Sequence, residues 1–130
     1  MRRVVGLTAV ILLAVAVGVA SVVAYERMND GPDYQVAADT GTADHDFVIP
    51  AGTSDRLLRH EKVDILPRRL DVTVGETIRI RNQDTRGQLV GIFYVGAGET
   101  VRMRFTSPGE LSGACEVHPD GQFTIMVHEA

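Results

Sequence analysis

The sequence predicts an all-β sandwich behind an apolar N-terminal helix, and three observations carry that expectation. Apolar and polar residues alternate through most of the stretch from His45 to Ala130, which is the period of a strand with one face buried. Turn signals rich in Gly and Pro interrupt the alternation every ~8–12 residues. No helical period lasts longer than two turns, and there is no internal repeat. About seven short strands punctuated in this way are the pattern of two stacked sheets.

The chain opens with Arg2 and Arg3 and then runs from Val4 to Ala24, 21 residues, without a charge. That length suffices to cross a bilayer core as a helix. The basic pair should stay cytoplasmic, which sends the C-terminal part outward. The other reading of residues 1–25 is a cleaved secretory signal. Val22-Val23-Ala24 offers small residues before a cut at Tyr25, although the apolar run exceeds the ~7–15 residues of a signal core. No cysteine follows the apolar block closely enough for a lipoprotein anchor. The expected location is the cell membrane, single pass with the folded domain outside the cytoplasm, or, after cleavage, a secreted or periplasmic one. Residues 26–44 read as a flexible linker, with turn-formers at Asp30-Gly31-Pro32-Asp33 and Asp39-Thr40-Gly41-Thr42 and little between them to bury. The folded domain is then 45–130.

Within it, Phe47-Val48-Ile49 is a first short strand ended by Pro50, and Thr53 or Ser54 is placed to cap a helical turn from Asp55 to His60. Val63 and Ile65, then Leu70, Val72 and Val74, alternate with polar residues, and Pro67 marks an edge or bend. After a turn at Gly75-Glu76, the strand from Thr77 to Asn82 points Ile78 and Ile80 inward and Arg79 and Arg81 outward. Leu89 to Val95 reads as one continuously apolar strand, followed by a turn at Gly96-Ala97-Gly98. Val101, Met103 and Phe105 alternate with Arg102 and Arg104 before the turn at Ser107-Pro108-Gly109. Glu110 to Cys115 and a last strand with Phe123, Ile125 and Val127 complete an antiparallel arrangement. Its expected core is Val72, Ile78, Ile80, Val101, Met103, Phe105, Phe123 and Ile125. The outward arginines, Arg68 and Arg69 included, are surface positions on which an acidic partner could dock.

Charge and cysteine content narrow the function. From Glu26 onward 11 Lys+Arg face 17 Asp+Glu, a net of −6, and an acidic domain repels nucleic acid, which is therefore excluded as a partner. Cys115 is the only cysteine. Outside the cytoplasm cysteines normally pair as disulfides, so an unpaired one is a ligand, an intermolecular bridge or a reactive thiol; its plainest alternative is a small buried hydrophobe. It stands three residues before His118 on a Pro/Gly turn. A thiolate and an imidazole at the rim of a sandwich are the two strongest ligands of a mononuclear copper site. A Cys–His hydrolase would need an activating base and an oxyanion hole, neither of which is visible, so no enzymatic activity is expected. His45, His60 and His128 read as solvated surface residues. They would complete a metal site only if the fold carried them to the Cys115 end.

Three stretches carry a family resemblance: the valine-rich strand from Leu70, the Gly75-Glu76 turn and the following strand that ends in Asn82-Gln83-Asp84; the Ser107-Pro108-Gly109 turn; and the Cys115-Glu116-Val117-His118-Pro119 loop before a final alternating strand. In this order they resemble a cupredoxin domain over roughly Asp46 to Val127. The resemblance implies a Greek-key sandwich, copper-based electron transfer and a redox protein partner. It also implies a first ligand histidine six residues after the Asn of the Asn-x-Asp motif, where this chain has Gln88. An axial ligand, often Met, is expected three residues after the second histidine, where Gly121 stands with Gln122 beside it. Cys115, His118 and Gln88 are thus the expected metal-site residues, with an amide oxygen, a harder and weaker ligand, where the family has an imidazole.

Overall fold

Strands form wherever the alternating residues find a sheet to face. The computed structural model describes residues 2–29 and 34–130, with side chains for 10–24 and 36–130. The chain divides into two units, Met1–Asp30 and Gly31–Ala130. In the second, strands β1 (Tyr34–Val36), β2 (His45–Ile49), β3 (Arg69–Thr73), β4 (Thr77–Asn82), β5 (Gln88–Val90), β6 (Phe93–Val95), β7 (Thr100–Phe105), β8 (Gly109–Ala114) and β9 (Gln122–His128) accompany one short helix, α2 (Thr53–Leu58). One sheet has the order β1-β7-β4-β2, a second β3-β9-β8, and β5 pairs with β6. Ile49, Ile78, Ile80 and Phe105 of the first sheet meet Val72, Phe123, Ile125 and Val127 of the second in one core, each at 3 % exposure or less.

The sheets are mixed, where the alternation predicts antiparallel ones. β2 runs parallel to β4 and β3 parallel to β9. Both pairings join strands far apart in sequence, and a long crossover can bring the chain back to the end from which it started. Two further expectations change for local reasons. Leu89 to Val95 is a hairpin rather than one strand, because Gly91 takes φ 61 and turns the chain between β5 and β6; an unbroken apolar run does not reveal such a turn. Val101 and Met103 are only half-buried, on a strand that lies next to the short edge strand β1. Val63 and Leu66 are buried on irregular chain rather than on a strand.

The stretch 37–44, expected as linker, lies along the outer face of the first sheet. Ala37 N donates to Arg102 O at 2.9 Å, and Arg102 donates to the carbonyls of Ala38, Thr40 and Thr42, the last at 2.8 Å. Arg79 holds Asp46 at 2.5 Å and Asp39 at 3.3 Å, while Arg81 reaches Asp46 at 3.3 Å. Composition marked this segment as polar and turn-prone; it did not show that outward arginines would use its carbonyls and carboxylates. Arg79, Arg81 and Arg102 therefore bind their own chain instead of forming a free basic face.

Described by itself, α1 (Arg2–Asn29) is 28 residues long, and its described large apolar side chains are 43–71 % exposed. Among the described residues no helix is long and apolar enough to cross a membrane. The expected span from Val4 to Ala24 falls within α1, with side chains described only from Val10 onward.

Glycine decides one contact that positions the site. A Cβ at Gly113 of β8 would sit 2.5 Å from the backbone oxygen of Gly91, so only glycine lets β8 approach the β5–β6 turn. Gly113→Ala forces two backbones apart and is expected to cost about 1–3 kcal/mol, read as a lower denaturant midpoint. The neighbouring exposed Ser112→Ala should change it little.

Candidate metal centre

The site grows out of the end of β4. Asn82 Oδ1 accepts the Asp84 N–H at 2.9 Å, and Asn82 Nδ2 donates to Arg86 O at 2.8 Å and Val95 O at 3.0 Å. One buried amide thus ties the loop 83–87 to both ends of the β5–β6 hairpin. That turn aims the Asp84 carboxylate at the N-terminus of α2. It accepts from Gly52 N at 3.2 Å, Thr85 N at 2.8 Å, Ser54 N at 2.7 Å and Ser54 Oγ at 2.5 Å. Burial pushes the Asp84 carboxyl up, but the bonds from Ser54, Thr85 and Gly52 outweigh it and hold it below the ordinary carboxylate value. The cap of α2 therefore comes from another part of the chain. Gly52 is the N-cap, no side chain caps locally, and neither Thr53 nor Ser54 takes the expected role.

Gln88 is 3 % exposed, and its Nε2 donates to Ser54 Oγ at 2.9 Å. The direction of this relay follows from Asp84. An ionised carboxylate only accepts, so Ser54 gives it the hydroxyl proton and must itself accept from the Gln88 amide nitrogen. Gln88 is oriented by that bond, and its amide nitrogen is committed to structure.

Cys115 follows β8 directly. It bridges Val90 of β5 in antiparallel register, with Gly91 N donating to Ala114 O at 2.7 Å and Glu116 N to Leu89 O at 2.9 Å. This register brings β5, and Gln88 at its start, alongside the Cys115–His118 loop. Cys115 N donates to Gly121 O at 2.9 Å and Gly121 N to His118 O at 3.0 Å, which closes the loop on itself. The thiol is 2 % exposed. Burial pushes it up, against backbone hydrogen bonds from Val117 and Gly91 that pull the other way. His118 is half-buried, and its Nδ1 accepts the Asp120 N–H at 3.1 Å.

The backbone therefore carries β5 and the Cys115–His118 loop to the same end of the sandwich, while the Gln88 side chain bonds Ser54. Gln122 does not join them: it is exposed and pairs with exposed Ala114, on the face of β8–β9 opposite to the one that buries Cys115. His45 and His128 belong to the other end. His128 closes β9, about 20 Å of strand away from Gln122 at about 3.3 Å per residue, and binds Asp71 at 2.8 Å; His45 begins β2 and binds Glu76 at 3.3 Å. His60 is the exception. Two adjoining clefts share Leu57 and Glu116: one of about 250 Å³ is lined by Ser54, Arg86 and Gln88, the other, of about 270 Å³, by His60, His118 and Pro119. The spacing of His60 in the sequence carried no sign of this neighbour; only the path of α2 does.

Among the described residues, no group of three or more His, Cys, Asp or Glu side chains is placed to hold a metal ion. A trigonal centre with two imidazoles does not fit positions 88, 115 and 118, because Gln88 has no imidazole to give. A thiolate and one imidazole do suit a soft, low-coordinate ion such as Cu(I). Binding requires the Cys115 thiol to ionise and the Asp120 N–H to leave His118 Nδ1.

No family model and no curated protein matches the chain. Solved structures similar to it include an amicyanin from Paracoccus versutus, at 15% identity over 73% of this chain and 97% of that one, with a TM-score of 0.49. A reduced Cu(I) form of an amicyanin variant at pH 4 is 18% identical over 74% of this chain and 92% of that one, with a TM-score of 0.44. The mixed-sheet β-sandwich and its buried cysteine stand on the geometry described above.

Proposed function

We propose that the domain is a cupredoxin-like copper-binding module, held outside the cytoplasm by the N-terminal helix and acting as a one-electron carrier for a redox protein partner rather than as an enzyme. The single observation that carries this reading is the Val90–Cys115 bridge, which sets Gln88 beside the Cys115–His118 loop. Cys115 and His118 would hold the ion, with Gln88 as the third expected position in place of an imidazole. A bound copper ion supplies the one-electron couple. The chain's own residues exclude water around the thiol and orient the amide through Ser54 and Asp84. The soft thiolate with a single imidazole favours Cu(I) over Cu(II). For the anchor, support comes from the uncharged run Val4 to Ala24 behind Arg2 and Arg3 and from the exposed apolar side chains of α1; full-length protein is then expected in the membrane fraction.

A second reading, a sandwich without a competent copper site that serves as an interaction scaffold, is favoured by a bond that metal binding would disturb. Asp120 N–H occupies His118 Nδ1. Gln88→His separates the two. On the copper reading, an imidazole at position 88 tightens copper and produces or intensifies a thiolate-to-copper absorption band. If neither the natural protein nor the variant takes up copper, the scaffold reading replaces it.

A further inference from the structure

The segment Glu116–Pro119 and the chain at the end of α2 line one cleft of about 270 Å³, and each contributes one histidine, His118 and His60. We propose that these two imidazoles form a binding site for a borderline divalent transition-metal ion, Cu²⁺ above all, at the mouth of that cleft. The inference shares His118 with the copper reading and rests on it for copper as the metal; two imidazoles suit the divalent ion, where the thiolate with one imidazole favours Cu(I). It goes beyond it in assigning the second imidazole to the end of α2, where the resemblance had placed none.

The conformation of His60 is the second, independent observation. α2 ends in a paired turn: His60 N donates to Leu57 O at 3.0 Å and Glu61 N to Arg56 O at 3.0 Å. This is the arrangement whose left-handed residue is usually Gly, sometimes Asn. Here His60 takes that position with φ 57, and among the described residues it is the only non-glycine at positive φ. Gly is the residue with no Cβ cost at this position, and histidine is among the side chains that adopt it more often than most. The turn thus fixes the backbone that carries the His60 imidazole at the cleft.

The surroundings suit a cation on the His118 side. Glu116 lines the cleft and uses one carboxylate oxygen on Leu89 N at 2.7 Å. Glu61 also lines it but is held by Arg56 at 3.2 Å and Arg59 at 2.7 Å, and Lys62 opposes them. The ligands are therefore the two histidines, with Glu116 contributing charge. Imidazole binds Cu²⁺ more tightly than the other first-row divalent ions, Zn²⁺ included. Metal at His118 displaces the Asp120 N–H from the ring, and the Asp120 amide should report that displacement.

The test titrates Cu²⁺ into the full-length protein in detergent and counts nitrogen ligands by electron paramagnetic resonance. His60→Asn removes the imidazole yet suits a left-handed position, so the backbone should hold and the melting temperature should not fall. Loss of a mere supporting partner costs about 10–100-fold in metal affinity, so loss of His60 should weaken Cu²⁺ by at least about ten-fold and reduce the nitrogen count from two to one. Cys115→Ser should keep the two-nitrogen signal while removing any thiolate-to-copper band. An unchanged affinity and nitrogen count in His60→Asn overturns the two-histidine site, even where the thiolate band persists. Absence of that band in the natural protein, with His60-dependent binding intact, removes the thiolate reading and leaves this site standing.

Discussion

Phe105→Ala is expected to lower the unfolding free energy by about 3–5 kcal/mol, as for other large-to-small changes at fully buried aromatic positions. Phe105 is 0 % exposed at the end of β7. Its backbone is fastened on both sides of the Gly75 turn, with Phe105 N donating to Glu76 O at 3.1 Å and Gly75 N to Phe105 O at 2.8 Å. A chain held this firmly cannot collapse into the space the ring leaves, so the upper half of the range applies. Denaturant titration would show the midpoint shift. Met103→Ala, two residues earlier and half-buried, should cost clearly less, and equal losses at the two positions would contradict the assignment of the core.

Asp84→Ala should be nearly as damaging through a different cause. It removes one acceptor and leaves the donors of Gly52, Ser54 and Thr85 without it. The two bonds from Ser54 alone, at about 1.5–3 kcal/mol each for a charged acceptor, give a loss of about 3–6 kcal/mol. The pH dependence has a definite sign. Asp84 is held below the ordinary carboxylate value, as are Asp44 through Thr77, Asp46 through Arg79, and Asp71, at about 2, through Arg69 and His128. The stability they lend is present above the unfolded value of 3.8 and is lost as pH falls below it toward about 2. The natural protein should therefore lose stability in acid more steeply than Asp84→Ala, and parallel profiles would show that Asp84 is not ionised in the fold.

How much of this was legible beforehand varies with the residue. Ile78, Ile80, Phe123 and Ile125 were readable as core because period-two alternation reports burial on one face directly. The hairpin at Gly91 was not, since an apolar run bounded by turns looks the same whether or not it folds back. Ser54 and Asp84 each drew attention for local reasons, a helix start and an Asn-x-Asp turn. Their bond spans 30 residues, and no local pattern encodes a pairing at that separation. His60 likewise reads as a solvated turn residue until α2 is set across from His118.

By itself the sequence determined the β class, the division into apolar helix and strand-rich domain, and the pairing of Cys115 with His118 on one short loop. Each follows from local periodicity, charge or spacing, quantities that neighbouring residues carry. Only the tertiary structure decided that the sheets are mixed, that residues 37–44 lie under Arg79 and Arg102, and that Gln88 is spent on Ser54. Those outcomes depend on hydrogen-bond partners that long connections bring together, and a partner's distance along the chain leaves no mark on local composition.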